Sequence, residues 1–158
     1  MRKRIIDQNS RDSSSNENWL DLEHLAEVEI TSEDIAHPIE SALIYGSKPG
    51  WQASQPGEQV IRLLFDKPQS INHIRLVFNE DRQERRQEFL LRWSVDNGRS
   101  YQEIVRQQYN FNPSTTTREV EDYQVKLDGL TVLELKINPD ISSNSVYASL
   151  AELRLGNG

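Results

Sequence analysis

The sequence predicts an all-β protein, an antiparallel β-sandwich, and three observations support that class. Strand-like runs follow one another through the middle third of the 158-residue chain, at 60–65, 71–78 and 89–95. Apolar and polar residues alternate with a period of two along most of the remaining segments, as in half-buried strands. No sustained helical periodicity occurs beyond residues 19–25, so crossover helices and a parallel sheet are not expected.

The amino-terminal region divides into a polar tail and the start of the folded domain. Residues 1–18 contain too few apolar side chains to offset the entropy of ordering, so we predict a disordered tail and one domain over 19–158. The apolar cluster at 19–25 fits a short helical turn or a first edge strand. Val28 and Ile30 share one face of a predicted strand. The Pro- and Gly-rich stretch 35–56 is predicted to be a long, largely irregular connection around a short turn at 39–43.

The remaining strands are predicted from runs of apolar residues and from the turn residues between them. Residues 60–65 are almost all apolar, which suits a strand covered on both faces and ended by Pro68. Asn97 and Gly98 favour a reversal between 89–95 and 101–105, and Trp93 is in phase with the core side of that hairpin. Later strands are predicted at 123–127, at 132–137 after a turn at Asp128-Gly129, and at 149–155.

Composition excludes several classes of protein and site. The chain has no cysteine, which rules out disulfides, thiolate nucleophiles and thiolate metal sites. Its net charge of -7 and pI near 5.0 argue against a nucleic-acid partner, because affinity for phosphate backbones depends on clustered Lys and Arg. The start of the chain lacks the apolar core of a secretion signal, and no run approaches the roughly 20 apolar residues of a membrane span. We therefore expect a cytoplasmic protein.

The order of several segments resembles a known family. These segments are Val-Glu-Ile-Thr-Ser at 28–32, His-Pro-Ile-Glu-Ser-Ala-Leu at 37–43, Gly-Trp-Gln-Ala-Ser at 50–54, the strands at 59–68 and 71–77, Ser-Val-Asp-Asn-Gly at 94–98 and Ala-Ser-Leu-Ala-Glu-Leu at 148–153. Together they resemble the discoidin, or coagulation factor type C, domain. The resemblance implies a galactose-binding-like jelly-roll β-sandwich, related to carbohydrate-binding modules, and hence a binding role.

The same resemblance raises the question of a calcium ion. Members of the family can bind calcium in the loop before the tryptophan, with help from a glutamate in the closing strand, which corresponds to Glu152. The matching loop here, residues 44–49, has no carboxylate and contains Lys48. Because calcium prefers about 6 to 8 oxygen ligands, we favour a polar surface role for Glu152 and keep a metal-ligand role as the alternative.

Five residues are candidates for ligand contact: Lys48, Trp51, Arg82, Asn110 and Arg118. Arg82 lies in the charged stretch 79–88, where ion pairing in a solvated link is the favoured interpretation. Trp51 and Lys48 lie in the long connection; the Trp51 ring could bind a sugar, although packing is favoured. Asn110 and Arg118 flank a polar segment at 109–118, for which a mobile loop and a binding loop are equally favoured.

Catalysis finds little support in the sequence. The three histidines have no metal-ligand spacing, and the chain has neither a Gly-rich phosphate loop nor a Gly-x-Ser-x-Gly nucleophile motif. We therefore predict a non-catalytic module that binds a carbohydrate or glycan through the end loops of the sandwich. The alternative from another class is a cytoplasmic protein-protein interaction or scaffold domain with the same fold.

Overall fold

The computed structural model describes residues 19–44, 46 and 49–158, and it is built almost entirely from β-strands. The predicted disordered tail at 1–18 and the candidate ligand residue Lys48 lie outside the described residues. The elements in chain order are α1 (Leu22–Leu25), β1 (Ala26–Ile30), α2 (Glu40–Leu43), β2 (Trp51–Pro56), β3 (Gln59–Asn79), β4 (Arg85–Ser94), β5 (Gln102–Phe111), β6 (Arg118–Asn138), β7 (Tyr147–Leu150) and β8 (Glu152–Gly156).

Two strands of 21 residues each, β3 and β6, form the backbone of the fold. They pair antiparallel with each other, and the register shifts where Gln69 pairs with Leu130 and Ile71 pairs with Leu127. The prediction that Pro68 ends one strand and that Asp128-Gly129 separates two others was therefore wrong. These residues mark bends inside continuous strands, because an exposed stretch with shifted register tolerates a proline and a glycine at positive φ, here 76°.

The bends divide the sheet into two layers. In one layer, the first half of β3 pairs with β1 on one side and with the second half of β6 on the other. The second half of β6 also pairs with β4, and β4 pairs with β5 at the edge of this layer. The second half of β3 pairs with the first half of β6 and with β8, and β2 and β7 form a separate antiparallel pair. Phe78 from one layer stacks on Phe89 from the other, with ring centroids 5.4 Å apart. The predicted antiparallel sandwich is confirmed.

The core lies between these layers and contains alternate residues of its strands. The prediction that the strand at 60–65 is covered on both faces was wrong, because every second residue of this segment is only partly buried. Ile61 and Leu63 of β3 face Ile74, Leu76 and the β8 leucines across the sandwich, and all are buried. Trp93, predicted as core, is partly buried and packs against this cluster. The predicted reversal after β4 is also present: Asn97 and Gly98 both have positive φ, at 61° and 88°. β4 and β5 then pair antiparallel.

Several boundaries differ from the sequence prediction. The first apolar cluster combines the two predicted alternatives, since Trp19 forms an isolated antiparallel bridge with Gly156 and residues 22–25 form a helix. The expected irregular connection at 35–56 contains helix α2 at the predicted short turn and also strand β2. The expected last strand is interrupted at Ala151, and β7 and β8 pair with different partners. In the described part of the chain, no helix is long and apolar enough to cross a membrane.

Candidate functional site

A cleft of about 500 Å³ opens at one end of the sandwich. Three segments form it: the β3–β4 connection, the start of β6, and β7 with the residues before it. Gln52 of β2 completes the wall beside β7, because Gln52 and Ser149 are paired in the β2–β7 ladder. The lining is mostly polar and consists of Gln52, Asn79, Glu80, Asp81, Arg82, Gln83, Thr117, Arg118, Ser145, Val146, Tyr147 and Ser149.

A buried arginine fixes the β3–β4 connection that carries Arg82. The side chain of Arg85 is fully buried, and its Nε donates to Glu80 Oε1 at 2.7 Å. Its Nη1 donates to Gln87 Oε1 and to the carbonyl of Pro139, both at 2.9 Å, and its guanidinium lies 4.5 Å from the centroid of the Phe111 ring. Such charge-assisted bonds are among the stronger ones in proteins. This side of the cleft is therefore preorganised.

The same network continues to a glutamate beneath the cleft. Gln87 Nε2 donates to Glu119 Oε1 at 3.2 Å. Glu119 directly follows the cleft residue Arg118 in the chain. Glu119 is buried, and that burial, together with the neighbouring carboxylate of Glu121, raises its pKa to about 9. Gln87 and Arg85 lower the pKa of Glu119, but by less than burial and Glu121 raise it. Glu119 is therefore protonated at neutral pH, and the layer under the cleft carries less negative charge than the sequence indicates.

Two arginines and one tyrosine give the cleft its binding chemistry. Arg82 and Arg118 are exposed, and neither guanidinium has an ion pair or a hydrogen bond to any described residue. Tyr147 is 45% exposed, one of few large apolar side chains left open to solvent in the described chain. Glu80 is engaged by Arg85, so Asp81 is the carboxylate of the cleft that has no such partner.

The structure brings two of the predicted contact residues together and separates the others. Arg82 and Arg118 line the same cleft although the two residues are far apart in the sequence. Asn110 lines a neighbouring depression of about 610 Å³, where its Oδ1 accepts a hydrogen bond from Arg86 Nε at 3.1 Å. Asn110 belongs to β5 and Arg118 begins β6, so the connection expected at 109–118 is confined to 112–117.

Trp51 is a packing residue in this structure. It is 1% exposed, and its indole Nε1 donates to the carbonyl of Ser32 at 3.0 Å. The ring is packed inside the protein and its N–H is hydrogen-bonded there, so no face of the ring is open to a sugar. The favoured sequence interpretation of Trp51 thus agrees with its burial. The solvated link predicted at 79–88 needs a correction, since it is exposed at 81–84 but Arg85 and Gln87 are buried.

Sequence reasoning missed Tyr147, the one cleft residue with a substantially exposed aromatic ring. The strand that contains it was predicted to begin at 149, two residues too late. The sequence Val146-Tyr147-Ala148 did carry a signal, because Val146 and Ala148 are small apolar residues with a period of two and place Tyr147 on the opposite face. An aromatic residue on the outward face of a short strand next to a polar loop is a reasonable binding candidate.

The residues around Glu152 do not fit a calcium ion. Its Oε2 lies 3.6 Å from Arg75 Nε, and its Oε1 lies 3.6 Å from Arg154 Nη2, so guanidinium groups already neutralise this carboxylate. Within the described residues, Glu152 belongs to no group of three His or carboxylate side chains with converging ligand atoms. A divalent cation here would lie next to two guanidinium groups, and their positive charge would repel it.

Structural comparison shows that the chain has the fold of family 32 carbohydrate-binding modules. A family 32 module from a family 31 glycoside hydrolase of Clostridium perfringens is 19% identical, with a TM-score of 0.62 over 92% of this chain and 98% of that one. A pectin-binding carbohydrate-binding module is 20% identical, with a TM-score of 0.61 over 85% of this chain and 92% of that one. No family model and no curated protein matches the sequence.

A third match has a sugar bound. It is a family 32 module from C. perfringens in complex with galactose, 16% identical, with a TM-score of 0.62 over 89% of this chain and 98% of that one. The expected galactose-binding-like sandwich is thus confirmed as a fold. At these identities the likeness concerns the fold alone, so the ligand has to be argued from the cleft itself.

Proposed function

We propose that this protein is a non-catalytic module that binds glycans in the cleft at the end of the sandwich. The observation that carries the proposal is the half-exposed ring of Tyr147, which shares a preorganised polar cleft with the exposed guanidiniums of Arg82 and Arg118. An aromatic face next to converging hydrogen-bonding groups is the arrangement that recognises a sugar ring. Structural neighbours that are carbohydrate-binding modules support this assignment.

Each part of the cleft has a role in this proposal. The ring of Tyr147 packs against the apolar face of a pyranose, and the arginines donate to hydroxyl or carboxylate oxygens. The amide of Gln52 offers both a donor and an acceptor, which suits neighbouring hydroxyl groups. Glu80 stays bound to Arg85, and its role is to hold Arg82 at the rim, since Glu80 Oε2 also accepts from the Arg82 backbone N–H at 3.0 Å.

The charge of the cleft favours an acidic sugar over a neutral one. The guanidinium groups of Arg82 and Arg118 have no ion pair with any described residue, and Asp81 is the cleft carboxylate that no buried arginine binds. The cleft therefore has more free positive than negative charge, on a protein whose net charge is -7. A uronic acid would present a carboxylate to these arginines. The pectin-binding module and a family 32 module in complex with 4,5-unsaturated mannuronic acid, both among the structural neighbours, are in keeping with that class.

Isothermal titration calorimetry with a galactose-containing and a uronic-acid-containing oligosaccharide tests the proposal. We expect saturable binding that Tyr147→Ala weakens about tenfold or more, because stacking and burial of the ring are lost. Arg82→Ala and Arg118→Ala should weaken binding of the acidic sugar more than that of the neutral one. Arg99→Ala is the matched control, since Arg99 is an exposed arginine that does not line the cleft.

Two results would contradict different parts of the proposal. If a folded sample binds neither class of sugar, the glycan-binding function is wrong. If it binds the neutral sugar equally well and added salt has no effect, only the preference for acidic sugars is wrong. A stoichiometric protein partner that survives high salt in a pull-down, without any sugar binding, would favour the interaction-domain alternative. The cytoplasmic location stays a prediction.

A further inference from the structure

We infer that the guanidinium of Arg154 is a built-in cation that holds the carboxyl end of α2 against β8, so that this part of the fold requires no divalent metal. Arg154 lies in β8 and is buried, with a relative exposure of 3%. The end of α2 that it contacts lies more than 100 residues earlier in the sequence. A charged side chain is buried to this extent only when its environment compensates the lost hydration.

The carbonyl groups at the end of α2 supply that compensation. Arg154 Nη1 donates to the carbonyl oxygen of Ala42 at 2.7 Å, and Nη2 donates to that of Ile44 at 3.3 Å. The last carbonyls of a helical turn have no partner within the turn and carry partial negative charge, so a cation satisfies them both chemically and electrostatically. Nη1 also donates to the carbonyl of Leu153 at 3.0 Å, which fixes the side chain relative to its own strand.

Glu152 completes the arrangement as a counter-ion. Arg154 Nη2 lies between the Ile44 carbonyl and Glu152 Oε1, at 3.3 Å and 3.6 Å respectively. Two carbonyl oxygens and a carboxylate are ligands that a calcium ion could use, and the family resemblance implies a calcium ion with this glutamate. Here the same kinds of group converge on a guanidinium. The side chain thus supplies the positive charge that a metal ion would otherwise supply.

Ile44 and Gly50, which are described residues between α2 and β2, both lie against β7 and β8. Arg154 binds the first of these ends through the carbonyls of Ala42 and Ile44. At the other end, Gly50 has φ of 96°, and a Cβ at this position would lie 2.9 Å from the Leu150 carbonyl oxygen. Trp51 then pairs with Leu150 in the β2–β7 ladder. Loss of the Arg154 anchor should therefore loosen the contact of Ala42 and Ile44 with β8 while the two long strands stay paired.

Thermal melting of the full chain in excess EDTA and in millimolar calcium tests the first consequence. We expect the two melting temperatures of the wild-type protein to agree within about 1 °C, because a calcium ion present at 100 times its dissociation constant would raise the melting temperature by roughly 5–10 °C. A calcium-dependent increase of that size would overturn the inference.

Substitutions test the second consequence. Arg154→Met should lower the melting temperature by roughly 5–10 °C, because buried carbonyls lose charge-assisted bonds, and Arg154→Lys should fall in between, because one ammonium cannot reproduce the guanidinium fork. Arg75→Met is the matched control: Arg75 contacts the same Glu152 carboxylate, but its side chain is partly exposed and binds no α2 carbonyl. Equal losses for Arg75→Met and Arg154→Met would contradict the inference. If Arg154→Met does not fold, Arg154→Lys and the metal experiment still decide it.

Discussion

Two glutamates of the same long strand, Glu119 and Glu134, are equally buried but differ in their environment. Each is 1% exposed. Glu134 lies on the outer face of β6, between Arg62 of β3 and Arg92 of β4, which both donate to its carboxylate through Nε. Glu119 lies in the bent half of the strand, under the cleft, and accepts from the neutral amide of Gln87 with Glu121 as a negatively charged neighbour.

The difference shows that the neighbouring charge determines how burial affects an acidic group. Burial alone would raise the pKa of Glu134, but the hydrogen bonds and charges of Arg92 and Arg62 outweigh it and lower the pKa. At Glu119 burial is the largest effect and Glu121 adds to it, so the pKa rises to about 9. One strand therefore contains a carboxylate that stabilises the fold when charged and another that stabilises it when neutral.

The largest effect is expected at Glu134. Glu134→Gln removes the charge that two guanidiniums share, and we expect the free energy of unfolding to fall by about 2 kcal/mol. The loss should be smaller than for a fully buried pair, because the side chains of Arg62 and Arg92 are 40% and 34% exposed and regain some hydration. Urea unfolding at pH 7 measures it. A loss below about 0.5 kcal/mol would show that the cluster behaves as an ordinary surface pair.

Glu119→Gln should have the opposite sign and a pH dependence. Because the folded pKa is raised, the contribution of Glu119 is complete below about pH 4.5, the ordinary value, and is lost as pH rises toward about 9. The glutamine variant should thus be more stable than wild type at pH 8, where the wild-type side chain is ionised in the unfolded chain, and nearly equal to it at pH 4. Urea unfolding of the wild type and the variant at both pH values tests this. The variant keeps the neighbouring residues Arg85, Gln87, Glu121 and Tyr123, so only the Glu119 side chain differs. Destabilisation at pH 8 would contradict the assignment.

The smallest effect is expected at Glu29, which contacts the same Arg62 from the edge strand. Its carboxylate lies 3.3 Å from Arg62 Nη1, but its side chain is 52% exposed. Exposed pairs of this kind contribute little, so Glu29→Gln should change the free energy of unfolding by less than about 0.5 kcal/mol. This variant is the control for Glu134→Gln, and the two measurements together separate the effect of burial from that of the arginine partner.

The sandwich could be predicted from the sequence because alternation depends on local geometry. Side chains of a strand alternate between two faces whatever the strand pairs with, so the pattern of Ile74, Leu76 and Phe78 indicates a strand without knowledge of its partners. The continuity of β3 and β6 could not be predicted in the same way. Pro68 and Gly129 have the same local preferences at a bend as at a turn, and only the paired register of the two strands distinguishes these cases.

The cleft was predictable in part. Arg82 and Arg118 were candidates because they lie in polar connections, and the fold then brings those connections together. Arg85 could not be told from Arg82 by sequence, since both belong to one charged run and only the contacts with Glu80, Pro139 and Phe111 bury Arg85. Long-range contacts of this kind leave no periodic signal.

The sequence by itself determined the class of fold, because period-two alternation over most of the chain commits it to strands with one buried face. Only the tertiary structure decided what each charged side chain does. Arg82 is exposed at a cleft, Arg154 is buried against the carbonyls of α2, and Glu119 is neutral where Glu134 is charged. The physical reason is that hydration and charge pairing depend on neighbours far apart in the chain, whereas the alternation of side chains depends on adjacent residues.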